Sequence, residues 1–220
     1  MAPTVLGLDE AGRGSVIGPL VVGGFLTTAE RAPRLPEIGV ADSKLLSAAR
    51  REQVFRQLPG WGRRVALEIP PSRIDAYVRS GRLNQLEAEA FATLIRRVRP
   101  GRAVVDACDP VAERFGRLVF GLAEGLCPVE AAHRADRNVP VVGAASIVAK
   151  VRRDRAVARL RESTGVDFGS GYPADPKTVE FVRATLREPA VEPAWLRQSW
   201  ATTERLKPGP RERPLESFPP

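Results

Sequence analysis

The sequence predicts an α/β fold: a central mixed five-stranded sheet flanked by helices, plus a helical C-terminal region. Three observations carry this. Five short apolar runs of strand length are bounded by Gly and Pro. Stretches with apolar residues at helical spacing separate the later runs, the alternation that lays helices on a sheet. From residue 177 onward only helical patterning remains.

The elements follow in order. Thr4-Val5-Leu6-Gly7-Leu8 reads as a buried strand that runs into Asp9-Glu10. Residues 16–26 read as a second strand, and the Gly-rich link predicts an antiparallel hairpin. Residues 30–41 are Pro-rich and irregular. Ser47 is placed to cap a helix that Pro59-Gly60 stops near Leu58. Arg64 to Ile69 is a third strand, and Pro70-Pro71 opens a helix entry. The clearest helix is 83–98, where Leu83, Leu86, Ala90, Leu94, Ile95 and Val98 share a face. Arg102 to Asp106 is a strand, 111–124 a helix, and Cys127 to Ala132 a short strand. A long helix is expected over 143–162, then helices over 177–187 and 193–206. Residues 1–206 read as one domain. Residues 207–220, with five prolines and several charges, read as a disordered tail.

Composition narrows the chemistry. The chain has 220 residues, 2 Cys and 1 His, His133. That excludes a disulfide scaffold, a four-thiolate zinc site and zinc centres built from several imidazoles. It leaves little basis for a His-based triad, so any catalysis is expected to rest on carboxylates. The net charge of +8 favours a polyanionic partner. Of 34 basic residues only Lys44, Lys150, Lys177 and Lys207 are lysines. The longest apolar stretch, Val16 to Leu26, holds Pro19 and three glycines and is too short to span a bilayer. A cytoplasmic monomer with reduced thiols is expected.

Four carboxylates sit where strands end: Asp9 and Glu10 after the first, Asp106 after a later one, and Asp136 between the last strand and the long helix. Carboxylates gathered at one sheet edge repel, and a divalent cation relieves the repulsion. Neighbours on a strand point to opposite faces, so Asp9 and Glu10 share a site only if the strand ends or bends there. Gly12-Arg13-Gly14 favours such an ending. Taken singly, each of these residues also suits a cap or a turn. Asp109 is an equally available turn carboxylate, and Asp154 a further candidate. Tyr172, read alone, suits a core aromatic beside a Gly-rich loop.

Longer strings decide between these readings. Asp9-Glu10-Ala11-Gly12-Arg13-Gly14, followed by Gly18-Pro19, resembles the opening signature of the ribonuclease HII family. Asp42-Ser43-Lys44-Leu45 resembles its second motif, and Val104-Val105-Asp106-Ala107 its strand-end aspartate. Arg134-Ala135-Asp136 with the run Pro140 to Asp154 resembles its most extended motif. Gly169-Ser170-Gly171-Tyr172-Pro173 resembles its tyrosine loop, in a form most like archaeal members. The five motifs occur in family order. Arg134 and Gly143 depart from a common lysine and serine, and neither touches a carboxylate.

The resemblance implies an RNase H-like fold and an endoribonuclease that cleaves the RNA strand of RNA–DNA hybrids. It also implies cleavage 5′ to single ribonucleotides embedded in duplex DNA, leaving 3′-hydroxyl and 5′-phosphate ends, in ribonucleotide removal. Asp9, Glu10, Asp106 and Asp136 are then the ligands of two Mg²⁺ or Mn²⁺ ions. Gly12, Arg13 and Gly14 probe the 2′-hydroxyl, which marks RNA. Tyr172 stacks on the neighbouring deoxyribose. Ser43, Lys44 and Lys150 are expected at phosphates, where a compact ammonium is favoured. Leu215-Glu216-Ser217-Phe218 faintly resembles a sliding-clamp-binding peptide. A non-catalytic hybrid binder and another RNase H-like nuclease, such as a junction resolvase, are the alternatives. Neither accounts for carboxylates, Gly-Arg-Gly and tyrosine loop together.

Overall fold

Eight residues, Thr4–Ala11, form the central strand β1 of the computed structural model, which describes residues 2–40, 46–187 and 193–208. Strand β2 (Leu20–Thr28) returns antiparallel beside it, from Thr4↔Thr28 to Ala11↔Val21, as the hairpin reading expected. The strand β3 (Arg63–Ile69) continues the antiparallel half. On the other side β4 (Arg102–Asp106) runs parallel to β1, and β5 (Val129–Ala132) parallel to β4. The order β3-β2-β1-β4-β5 is the mixed five-stranded sheet that the strand pattern predicts.

Helices α1 (Ala48–Gln57), α2 (Pro71–Arg79), α3 (Leu83–Val98), α4 (Ala112–Leu122), α5 (Ala135–Asn138), α6 (Pro140–Thr164), α7 (Pro176–Leu186) and α8 (Ala201–Leu206) complete the fold. Among the described residues no helix is long and apolar enough to cross a membrane. Leu6, Leu8 and Val22 pack with Phe91 of α3 and Phe115 of α4 on one face of the sheet. Val5, Phe25 and Val104 pack with Val141, Ala145 and Val148 of α6 on the other. A third cluster joins Ile17, Val157, Phe168, Val182 and Leu196 around the C-terminal elements.

Five of the differences from the sequence reading have a physical reason in the contacts, while β5 starts at Val129 and α4 spans Ala112–Leu122, each slightly shorter than read. β1 runs through Ala11 rather than stopping at Leu8, because Asp9, Glu10 and Ala11 still pair with Gly23, Val22 and Val21. β2 begins at Leu20, because the Val16 and Ile17 amides donate instead to the Gly171 carbonyl, at 2.8 and 3.2 Å. The helix expected over 193–206 is confined to Ala201–Leu206, since Leu196 bridges Ile17 and Asp75 accepts from the Gln198 and Ser199 amides. Pro140 starts α6 three residues early, a first-turn position where its missing N–H costs nothing. Residues 32–38, expected to be irregular, form a 3₁₀ helix that ends on Gly39. The Ser47 cap is as expected: its hydroxyl accepts from the Arg50 amide at 3.2 Å.

The helix α6 lies unusually close to the sheet. Val141, Ala145 and Ala149, four residues apart, form one ridge of small residues that meets glycines of β1 and β2. A Cβ on Gly7 would collide with the Val141 carbonyl, and one on Gly23 would lie 2.5 Å from the Ala145 oxygen and the Ala149 nitrogen. Gly7→Ala is therefore expected to lower unfolding free energy by about 2–3 kcal/mol in denaturant melts. Gly60→Ala, at a position with open space around it, is expected to change it by less than about 0.5 kcal/mol.

Candidate active site

The pairing of β1 with β4 ends at Leu8↔Val105, while β1 continues for three residues against β2 alone. Asp9 and Glu10 therefore overhang the place where β4 finishes at Asp106. Strand β5 ends beside Asp106, and the next turn leads into α5, which carries Asp136. A cleft of about 380 Å³ forms at this gap, lined by Asp9, Glu10, Asp106 and Asp136. Gly12, Arg13, Gly14, Lys150 and Tyr172 line the same cleft. All four predicted carboxylates thus meet in one place although β1 continues through Ala11. The missing β4 neighbour opens the strand edge, so side chains from both faces reach the cleft.

Opposite faces give Asp9 and Glu10 different surroundings. Asp9 faces α6, where the Ser146 hydroxyl bonds to it and itself accepts from the Lys150 ammonium at 2.8 Å. The Glu10 amide donates to Asp9 Oδ1 at 2.8 Å. Burial raises the Asp9 carboxyl above its ordinary value, against the pull of Ser146 and Lys150. Glu10 lies on the α3 side. Burial first, then the charges of Glu87, Asp9 and Asp106, push its carboxyl well above the ordinary range. Asp106 accepts from the Ala135 amide at 2.8 Å, which ties the end of β4 to the start of α5.

This donor set fits a hard divalent cation. Glu10 Oε2 is buried with no hydrogen-bond partner, an acceptor left for a cation to fill. Repulsion among Asp9, Glu10 and Asp106 is the cost that positive charge would remove. Among the described residues no three such groups close into a ready-made cage. An ion here would keep waters or take phosphate oxygens, as Mg²⁺ does.

The turn after β1 is built from arginine contacts. Gly12 has φ +85°, and a Cβ there would lie 2.6 Å from Arg153 Nε and 2.9 Å from the Pro19 carbonyl. The Arg13 side chain ion-pairs with buried Glu87 and donates to Asn84 at 2.8 Å. Asn84 donates in turn to Asp109 at 3.0 Å, and Asp109 takes Arg114 at 2.6 Å. Asp109 is thus committed to a support network outside the cleft. Asp154 reaches the cleft rim, 3.3 Å from Arg51. Tyr172 is half-buried under the Arg153 guanidinium, 4.4 Å from its ring centroid. Arg153 Nη2 also donates to the Ser170 carbonyl at 3.0 Å, so one side chain supports both the turn and the tyrosine loop. Ser43 and Lys44 lie outside the described residues.

Glu87 and Asn84 lie outside every motif, as does Arg197, which donates to the Gly12 and Arg13 carbonyls, whereas Arg153 lies in the extended motif without a role read from it. Glu87 left a signal, a carboxylate on the apolar stripe of α3 between Leu83 and Phe91. His133 is exposed, and Cys127 is buried in the core. Cys108 hydrogen-bonds Glu87, and burial pushes its thiol up.

Comparison with known proteins adds an independent line. The family profile described as ribonuclease HII matches residues 6–203. A ribonuclease HII of Methanocella arvoryzae is 43% identical over 204 residues, covering 92% of this chain and 91% of its own. The crystal structure of ribonuclease H2 from Pyrococcus horikoshii superposes with a TM-score of 0.85 at 38% identity, covering 93% of this chain and 97% of that one. The PCNA:RNase HII complex from Archaeoglobus fulgidus gives 0.82 at 37% identity, covering 98% and 100%.

The raised Glu10 carboxyl makes a stability prediction. Folding holds its proton to a higher pH than the unfolded chain does. Its contribution is therefore most favourable below the ordinary value of 4.5 and declines as pH rises through the folded-state value. Glu10→Gln carries no charge to bury. In metal-free buffer at pH 7 it is expected to be more stable than wild type, with the gap closing in acid. Urea melts across pH check this.

Proposed function

The chain belongs to the ribonuclease HII family, an endoribonuclease family acting on RNA–DNA hybrids, and on that premise we propose that it also cuts 5′ to single ribonucleotides in duplex DNA. The observation that carries this is the sharing of one cleft by four carboxylates, the Gly12–Gly14 backbone and Tyr172. The carboxylates serve hydrolysis, the turn serves recognition of a sugar, and the ring serves the neighbouring sugar. A hybrid binder has no use for four acids gathered in one cleft, and a junction resolvase none for a ribose probe.

In this reading Asp9, Glu10, Asp106 and Asp136 hold two Mg²⁺ or Mn²⁺ ions. Such ions supply an activated water and charge stabilisation at the leaving 3′-oxygen. Glu10 Oε2, buried and unbonded, is the acceptor most in need of that charge. Lys150, tied to Asp9 through Ser146, keeps positive charge at the cleft wall for a phosphate. The absence of side chains at Gly12 and Gly14 lets the backbone come close to a sugar, where its amides can donate to a 2′-hydroxyl. Arg153 fixes the plane of Tyr172 so that its other face is available to a deoxyribose. Ser43 and Lys44 are proposed at the phosphate backbone. The products carry 3′-hydroxyl and 5′-phosphate ends, which suits removal of ribonucleotides from DNA.

One second interaction is favoured by a specific observation. The Archaeoglobus fulgidus relative, 37% identical over 98% of this chain, is a PCNA:RNase HII complex. We therefore propose that the segment around Leu215-Glu216-Ser217-Phe218, outside the described residues, contacts a sliding clamp. Deleting residues 208–220 is expected to abolish clamp capture in a pull-down and leave cleavage intact.

The central test is Mg²⁺-dependent cleavage of a duplex holding one ribonucleotide, with EDTA abolishing it. Tight binding without cleavage would sink the enzymatic reading. Asp9→Asn and Asp136→Asn are each expected to lower kcat by about 10²-fold or more with substrate binding retained in gel shifts. Tyr172→Ala is expected to slow cutting at a single ribonucleotide more than cutting of a long hybrid, read as a change in the ratio of the two rates.

A further inference from the structure

Arg197 is fully buried between α7 and α8, in the segment where a helix was expected. Among the described residues it forms no ion pair. Instead, its guanidinium donates to three carbonyls of the turn after β1: Nη2 to Gly12 at 2.7 Å, Nη1 to Arg13 at 2.8 Å, and Nε to Gly18 at 3.1 Å. Its Cζ lies over the Trp200 ring, 4.7 Å from the centroid. Burial lowers its pKa to about 9, helped by the nearby charge of Arg153. A buried guanidinium spent on backbone carbonyls is a costly device, because no ion pair among the described residues offsets its desolvation.

The consequence lies on the other side of the turn. A peptide unit is planar, and in the trans form its carbonyl and the following N–H point in opposite directions. No cis peptide occurs among the described residues. Drawing the Gly12 and Arg13 carbonyls in toward Arg197 therefore turns the N–H groups of Arg13 and Gly14 outward. Both residues line the cleft, and among the described residues neither amide donates to a protein acceptor. A charged donor on each carbonyl also polarises its peptide, which strengthens the N–H at the far end.

We propose that Arg197 is a positioning residue for sugar recognition, aiming the Arg13 and Gly14 amides at the 2′-hydroxyl of the ribonucleotide through the carbonyls it holds. The inference rests on the ribonucleotide-cleaving reading above. It assigns a role to a side chain that reaches no substrate. The planar fork of arginine is required, since a lysine ammonium on a flexible stem does not span three carbonyls in fixed geometry.

Arg197→Lys keeps the charge, and Arg197→Gln keeps a planar donor. Each is to be checked for folding by circular dichroism and thermal melting. Steady-state cleavage of a duplex with one ribonucleotide is then measured beside binding of the all-DNA duplex of the same sequence. A folded variant is expected to lose about 10–100-fold in kcat, with KM and all-DNA affinity within about twofold of wild type. A folded variant with wild-type kcat would overturn the inference. So would an equal loss of all-DNA affinity, or the failure of both variants to fold, since either marks a general structural role. A wild-type protein that leaves the ribonucleotide duplex uncut would remove the underlying reading instead, a result separable from the variants' behaviour.

Discussion

Buried like charge is the constraint on which the rest of this structure depends. Asp9, Glu10 and Glu87 surround the end of one strand, where water is scarce and repulsion is weakly screened. The fold answers this differently on the two faces of the sheet. On the α6 face, Ser146 and Lys150 stand one turn apart and pull on Asp9. On the α3 face, Arg13 pairs with Glu87, while burial pushes the Glu87 carboxyl up. Glu10 lies between these arrangements with one oxygen unbonded. The protein thus sets its own cations against Asp9 and Glu87 and leaves Glu10 short of positive charge. That residual deficit is the physical basis for expecting an added cation.

Placing those groups requires the backbone to come close in two places. The ridge Val141-Ala145-Ala149 rests directly on Gly7 and Gly23, which sets α6 at a depth where Ser146 and Lys150 reach Asp9. Gly23 is also the cross-strand partner of Asp9, so the same missing side chain serves helix docking and sits beside the acid. The small-residue run in α6, which reads as a motif, is in structural terms the price of that approach.

Much of this was legible in the sequence because it is local. The five strands, the Ser47 cap, and the carboxylates at strand ends follow from alternation, capping chemistry and turn residues. The convergence of Asp9 and Glu10 was only half legible. Alternation correctly puts them on opposite faces, but the early end of β4 that reunites them depends on a non-local pairing. The stretch 193–200 departs from its helical spacing for the same reason. Its spacing suits a helix, yet Asp75, Val16 and Ile17 take its backbone groups in tertiary contacts. Glu87 was visible as a charge on an apolar stripe, whereas nothing near Arg197 in sequence distinguishes it from the other arginines.

That last contrast bears on how the arginine-rich composition should be understood. A +8 charge suggests attraction to a polyanion, and the exposed arginines supply it. Arg153 and Arg197 do something else. Both are buried, and neither is neutralised by an ion pair among the described residues; Arg197 bonds to carbonyls of the turn after β1, while Arg153 bonds to the Ser170 carbonyl and lies against Gly12. Arg153 joins that turn to the tyrosine loop, and Arg197 joins it to the chain's last described segment. Three stretches far apart in sequence are thereby held as one unit around the place where a sugar would be read. Lysine could supply the net charge but not this planar bridging, so composition alone conceals which arginines attract a duplex and which shape its binding site.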